Sequence, residues 1–112
     1  MNISDFKLLL AQSEFTPIEI FKILVTDENW IVRESVARNI NVPKEILEIL
    51  AKDKNSLVRA SAARNPNVSK KILETLAKDE DSYVCASVIR NPNVTKEILE
   101  ILEHQLNEHF IF

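Results

Sequence analysis

The sequence predicts an all-α protein in which two-helix units of 26 residues stack into a solenoid. A five-residue segment recurs every 26 residues, at 38–42, 64–68 and 90–94. Each interval between its copies holds two stretches with the apolar spacing of helices. Since two helices of this length cannot bury their apolar faces alone, neighbouring units have to cover one another.

Self-similarity sets the unit boundaries. Residues 39–64 and 65–90 are identical at 16 of 26 positions, and 13–38 keeps the register by aligning Pro17 with Pro43. The length of 112 residues fits a single domain. We therefore predict one repeat domain over 1–112, with an N-terminal cap at 1–12, repeats at 13–38, 39–64 and 65–90, and a partial repeat with a C-terminal cap at 91–112.

The first stretch of each unit has the pattern of an amphipathic helix. In 43–52, the apolar residues Ile46, Leu47, Leu50 and Ala51 follow i, i+1, i+4, i+5 spacing, which places them on one face. The proline that opens this stretch suits a first helical turn, where its missing N–H costs nothing. We expect this face to be buried.

The second stretch is shorter. At 56–64 the spacing of Val58 and Ala62 is helical, but the short length leaves both an α-helix and a 3₁₀ helix open. Ser61 has a serine counterpart in the other two units. A small residue at this position predicts close approach of neighbouring helices.

Asparagines are predicted to end the second helix. Asn65 and Asn91 precede proline, which disfavours helical backbone in the residue before it. Asparagine side chains also bond readily to nearby turn backbone. We expect the turns between units to depend on these side chains.

Composition excludes several classes of function. The chain has no glycine, which excludes glycine-rich phosphate loops and the dinucleotide fingerprint. The single cysteine, Cys85, and the two histidines, His104 and His109, leave little for metal binding or His-based catalysis. No apolar run approaches the ~20 residues of a membrane helix, and no signal peptide is recognised. These features favour a non-enzymatic, cytoplasmic protein without cofactors and without membrane association.

The unit resembles the leucine-rich repeat variant (LRV) family over roughly 13–102. The resemblance rests on the Asn-Pro turn, the Leu-x-x-Leu-Ala helix and the segment from Asp53 to Val58-Arg59, which is also similar to HEAT repeats. It implies a right-handed superhelix that alternates an α-helix with a second, often 3₁₀, helix. It implies no catalytic residues, and the cysteine cluster that binds an iron–sulfur centre in some members has no counterpart here.

Three polar positions recur from unit to unit, and their recurrence favours a structural role over recognition. We expect these side chains to bond helix ends and adjacent units; a ligand-binding ladder is the alternative. The positions are occupied by Asp27, Asp53, Asp79, Arg38, Arg64, Arg90, Asn39, Asn65 and Asn91.

Recognition is expected where units differ at equivalent positions. Trp30 replaces a serine of the later units, and Tyr83 replaces the Leu57 of the preceding unit. Tryptophan and tyrosine are enriched in binding hot spots, although Trp30 beside the N-terminal cap could also serve packing. The candidate partner-binding residues are Trp30, Arg33, Arg59 and Tyr83.

One stretch is basic in a chain of net charge −3. Residues 52–78 hold seven basic and two acidic residues. The excess fits a patch for an acidic protein or a nucleic acid, or ordinary scatter of lysines at helix ends. The candidate patch comprises Lys52, Lys54, Lys70, Lys71 and Lys78.

These features together favour a protein–protein interaction module whose partner is another protein or peptide. A HEAT-like module that binds nucleic acid through 52–78 is the alternative. The apolar tail, Leu106 and 110–112, is expected to cap Ile98, Leu99 and Leu102 in a monomer. Its alternative role is to form a weak homodimer.

Overall fold

The computed structural model describes residues 1–110, which are all-helical and contain no strand. The predicted all-α class is therefore confirmed for this part of the chain. The helices are α1 (Ile3–Gln12), α2 (Ile18–Leu24), α3 (Trp30–Arg38), α4 (Lys44–Leu50), α5 (Ser56–Arg64), α6 (Lys70–Leu76), α7 (Ser82–Ile89) and α8 (Lys96–Gln105), followed by a π-helical turn at Leu106–Phe110.

The second helix of each unit is α-helical. Helices α3, α5 and α7 span nine, nine and eight residues. Each begins at a side chain, Asn29, Asn55 or Asp81, that accepts a hydrogen bond from a backbone N–H of the first turn. Because capping satisfies N–H groups that a helix start leaves free, it supports an α-helix even at this length. The 3₁₀ alternative is therefore wrong.

The helices form two rows. Helices α1, α3, α5 and α7 pack on one another in succession and form the second-helix row. We call α2, α4, α6 and α8 the first-helix row; each of α2, α4 and α6 packs on the helix that follows it, and α6 also packs on α8. The molecule is elongated, with principal extents of 47 × 25 × 17 Å.

The core lies between the two rows. On α4, Ile46, Leu47, Leu50 and Ala51 are all buried, as their spacing predicts, while Glu48 is exposed. In the second-helix row, the recurrent serine is buried in α3, α5 and α7. Its small side chain fits the direct packing of these helices on one another.

The C-terminal segment continues α8. The π-helical turn follows α8 without interruption, and Phe110 is half-buried against the core. Leu99 and Leu106 remain 45% and 56% exposed. Residues seven apart lie on the same side of a continuous helix, so Leu106 does not cover Leu99. Of the residues predicted to be capped, Ile98 and Leu102 are buried, and the cap itself stays a prediction. The last two residues of the predicted cap, Ile111 and Phe112, lie outside the described residues.

No helix within residues 1–110 is both long enough and apolar enough to cross a membrane.

Candidate functional site

Recurrent asparagines tie each unit to the one before it. The Asn65 side-chain amide donates to the carbonyls of Ala37 and Asn39 at 2.7 and 2.9 Å, and its oxygen accepts from the Asn67 N–H at 2.8 Å. Asn91 and Asn39 repeat this arrangement one unit later and one unit earlier, and all three side chains are buried. The asparagines therefore stabilise the turns and also join adjacent units.

A second ladder consists of ion pairs between units. Arg33 donates through Nε and Nη2 to the two carboxylate oxygens of Asp53, at 2.7 and 3.1 Å. Arg59 repeats the contact with Asp79 at 2.9 and 3.2 Å. These carboxylate hydrogen bonds raise the pKa of both guanidinium groups. Such a two-bond pair is among the strongest that side chains form.

The N-terminal end of this ladder is a lysine pair. Lys7 lies 26 residues before Arg33, and its Nζ is 2.6 Å from an Asp27 carboxylate oxygen. The hydrogen bond from Lys7, together with one from the Asn29 N–H, outweighs burial and lowers the pKa of Asp27. Helix α1 therefore carries the same inter-unit contact as α3 and α5.

The C-terminal end of the ladder is uncharged. Cys85 occupies the arginine position and Gln105 the aspartate position. The Gln105 Nε2 donates to the carbonyls of Lys78 and Asp79, both at 3.0 Å. Burial, together with the charges of Asp79 and Asp81, raises the pKa of the Cys85 thiol to about 11. A thiol that stays protonated at neutral pH is a poor nucleophile.

These contacts correct the assignment of the arginines. Arg33 and Arg59 are predicted to bind a partner, but their guanidinium groups lie between units and are neutralised by aspartates. Arg38 and Arg90 are predicted to belong to the scaffold, but both are exposed. The Arg38 side chain is 70% exposed, and its nearest carboxylate, that of Glu34, is 3.8 Å away.

One surface of the second-helix row brings the remaining candidates together. In each helix a large side chain near the start and an arginine seven residues later lie on the same side, about two turns apart. We call this surface the second-helix face. It is defined by Ile31 (with the adjacent Trp30), Leu57 and Tyr83 at one end and by Arg38, Arg64 and Arg90 at the other.

Polar contacts link the helices across the second-helix face. The Arg64 Nη1 donates to the Tyr83 hydroxyl and to the Ser87 Oγ, both at 3.0 Å, and its guanidinium carbon is 5.6 Å from the Tyr83 ring centroid. The Ser61 hydroxyl donates to Glu34 at 2.7 Å. These bonds fix the position of Tyr83, which nevertheless remains 44% exposed, while Trp30 is 38% exposed beside Ile31.

A surface groove lies where the face meets α1. Its volume is about 560 Å³, and it opens beside Arg38. The walls are mainly polar. They are formed by Gln12, Glu14, Ser35, Arg38, Asn39, Ile40 and Asn41.

The predicted basic patch falls into two groups. Lys70 and Lys71 begin α6, whereas Lys52, Lys54 and Lys78 follow the ends of α4 and α6. A seven-residue helix separates the groups by about 10 Å along its axis. All five lysines are exposed, and none belongs to the second-helix face.

Two ladder residues, Lys7 and Gln105, are absent from the sequence prediction. Extending the 26-residue register by one step beyond Arg33 and Asp79 would have identified both. Residues 1–110 contain no group of three or more His, Cys, Asp or Glu side chains that could hold a metal ion. Comparison with protein-family models, curated proteins and solved structures gives no match to the chain.

Proposed function

We propose that the chain is a right-handed α/α solenoid of the LRV type, and that it is a non-enzymatic module that binds another protein through the second-helix face. The proposal rests on a difference between the contacts that join the units and the residues that the units expose. The asparagine contacts between units recur without change, while the exposed residues at the helix starts of this face, Ile31, Leu57 and Tyr83, differ from helix to helix.

The packing supports the solenoid arrangement. Helices α1, α3, α5 and α7 follow one another in a row, and two ladders join units at the same 26-residue register. In such arrays each unit contacts mainly its neighbours, which leaves an extended surface for a partner.

The side chains of the face support protein binding. Trp30, Ile31, Leu57 and Tyr83 are all partly exposed, between 38% and 44%, and lie at the starts of adjacent helices. Partly buried side chains have less conformational freedom to lose on binding than fully exposed ones, and tryptophan and tyrosine contribute disproportionately to interface energy. The polar side chain of Arg64 lies farther along the same face.

The test is capture of binding partners from source-cell lysate by immobilised protein. The variant carries Trp30→Ala and Leu57→Ala on the second-helix face. The control carries Ile23→Ala and Ile49→Ala, which remove exposed apolar side chains from the first-helix row. We expect proteins that bind the wild type to be retained by the control and lost by the face variant.

Two results would contradict the proposal: equal loss in both variants, or full retention by the face variant. Nucleic-acid binding, the alternative function, is tested by fluorescence anisotropy with short DNA and RNA at low salt. Phosphate contacts weaken steeply with salt. Salt-sensitive binding that disappears on Lys70→Gln and Lys71→Gln would favour that alternative.

A further inference from the structure

The arginines of this protein belong to two classes. Arg33 and Arg59 are neutralised by aspartates between units. Arg64 is held by three hydroxyl groups instead: Nη1 donates to Tyr83 and Ser87, and Nη2 approaches the Ser61 Oγ at 3.4 Å. No carboxylate of residues 1–110 lies within 4 Å of this guanidinium.

Arg64 therefore carries an oriented charge without a directly bonded carboxylate; the nearest acidic group on this network is Glu34, which accepts from the Ser61 hydroxyl. A guanidinium has five N–H donors, so the three hydroxyl contacts leave donors available for a further acceptor. Because the hydroxyls fix its orientation, an incoming anion does not have to pay the full entropy of ordering this side chain. Arg38 and Arg90 occupy the same position on the flanking helices and are exposed.

We propose that Arg38, Arg64 and Arg90 bind an extended acidic segment of the partner protein, which crosses α3, α5 and α7 with a carboxylate at every third residue. This inference rests on the proposed protein-binding function and specifies the chemistry of the partner.

The spacing of the helices explains why the carboxylates of the bound segment are expected at every third residue. Helices packed on one another are about 8–10 Å apart, so we expect the backbone positions of the equivalent arginines on neighbouring helices at about that spacing. An extended or polyproline chain rises about 3.1–3.4 Å per residue, so three residues cover about 9–10 Å. Carboxylates three residues apart therefore match successive arginines, and each pair can form parallel N–H···O bonds.

The surroundings favour a peptide over a nucleic acid. Glu14 lines the groove beside Arg38, and Glu34 lies near the same arginine. A continuous row of phosphates would meet these carboxylates, whereas a peptide can present neutral residues between its acidic ones. The exposed lysines of 52–78 lie outside the second-helix face and cannot extend it for a longer polyanion.

The experiment measures binding of two labelled nine-residue peptides by fluorescence anisotropy. Both contain three glutamates in a serine and proline background, at positions 1, 4 and 7 in one peptide and at 1, 2 and 3 in the other. The protein variant is Arg38→Gln with Arg90→Gln. The control, Lys44→Gln with Lys96→Gln, removes two exposed charges from the first-helix row.

We expect the spaced peptide to bind at least fivefold more tightly than the clustered one. The arginine variant should weaken that binding about tenfold and the control less than twofold, with unchanged melting temperatures because all four side chains are exposed. Equal affinity for the two peptides, no binding of either, or equal weakening by both variants would overturn the inference. Tighter binding of a nine-nucleotide single-stranded DNA, lost in the arginine variant, would overturn it in favour of phosphates.

The lysate experiment separates this inference from the proposed function. If the arginine variant captures the same partners as the wild type while the Trp30→Ala, Leu57→Ala variant loses them, the acidic-segment inference fails and the protein-binding proposal stands. If neither variant loses partners, both fail.

Discussion

The central and the C-terminal unit boundaries supply hydrogen-bond donors to equivalent backbone carbonyls, but they do so with different side chains. In the centre, Arg33 Nη1 donates to the Asp27 and Glu28 carbonyls at 2.7 and 3.2 Å, and its Nε and Nη2 donate to Asp53. At the C-terminal boundary the equivalent carbonyl, that of Asp79, accepts from the Cys85 Sγ at 3.2 Å and from the Gln105 Nε2 at 3.0 Å, so a second donor comes from the following helix. What the position requires is a donor to this carbonyl, and a charge is dispensable.

The comparison also shows why two residues change together. A buried arginine without its carboxylate, or a buried carboxylate without its arginine, is costly, while a neutral pair avoids the cost of desolvating two charges. Cys85 and Gln105 replace both members at once. An ion pair is therefore one way to join neighbouring units, and a neutral pair is another. How much the stability of the fold depends on each boundary can be measured with single substitutions.

Apolar contacts are expected to give the largest effect at either boundary. Leu50 and Leu76 are almost fully buried, and replacing either with alanine should lower the free energy of unfolding by about 2–5 kcal/mol. Leu102 is 9% exposed in the last described unit, so Leu102→Ala should cost less. Urea titration measures these values. The control is Glu48→Ala on the exposed side, which should lower the free energy of unfolding by under about 0.5 kcal/mol. Similar losses for the Glu48 and Leu50 variants would contradict the assigned core.

The central ion pair should give the next largest effect. Arg33→Cys leaves the Asp53 carboxylate poorly exposed and unpaired, at an expected cost of about 3 kcal/mol. Adding Asp53→Gln transplants the C-terminal pair to the centre and should recover at least about 1 kcal/mol of that loss. A urea double-mutant cycle gives the coupling energy; purely additive costs would show that the two boundaries are not interchangeable.

The neutral C-terminal boundary should be less sensitive. Gln105→Ala removes two neutral hydrogen bonds, which predicts a loss of about 1–2 kcal/mol by the same titration. Glu103→Ala, an exposed change on the same helix, is the matched control. If Gln105→Ala lowers the free energy of unfolding as much as Arg33→Cys does, the charge difference between the two boundaries does not affect stability.

The smallest effect concerns pH at the N-terminal boundary. The lowered pKa of Asp27 means that its ionised form stabilises the fold above the ordinary carboxylate pKa of about 4, and that this contribution is lost as the pH falls through the lower folded value. Lys7→Met removes a pair whose lysine is 36% exposed, so the loss at pH 7 should stay under about 1 kcal/mol. Melting temperatures between pH 6 and pH 2.5 should converge for variant and wild type in acid; a constant difference would argue against the ion pair.

Local pattern predicted the buried face of α4 and the asparagine turns, because periodicity and Asn-Pro chemistry act over a few residues. It did not predict which arginines are buried. Arg33 binds a carboxylate that lies 20 residues away in the next unit. In the sequence, the positions of Arg33 and Arg38 are both occupied by arginine in successive units, until Cys85 replaces the arginine at the first of them. Recurrence identifies a position as repeated, but only packing between units decides whether that position faces a neighbour or solvent.

The direction of the asparagine ladder has a consequence for protein synthesis. Asn39, Asn65 and Asn91 all donate to carbonyls made 26 or 28 residues earlier. On the ribosome, each new asparagine therefore meets acceptors that have already emerged, whereas Arg33 and Arg59 emerge before the aspartates that they bind, which lie 20 residues later. The nascent chain can add one unit at a time to a template of completed units, and no asparagine has to be buried before its acceptors exist.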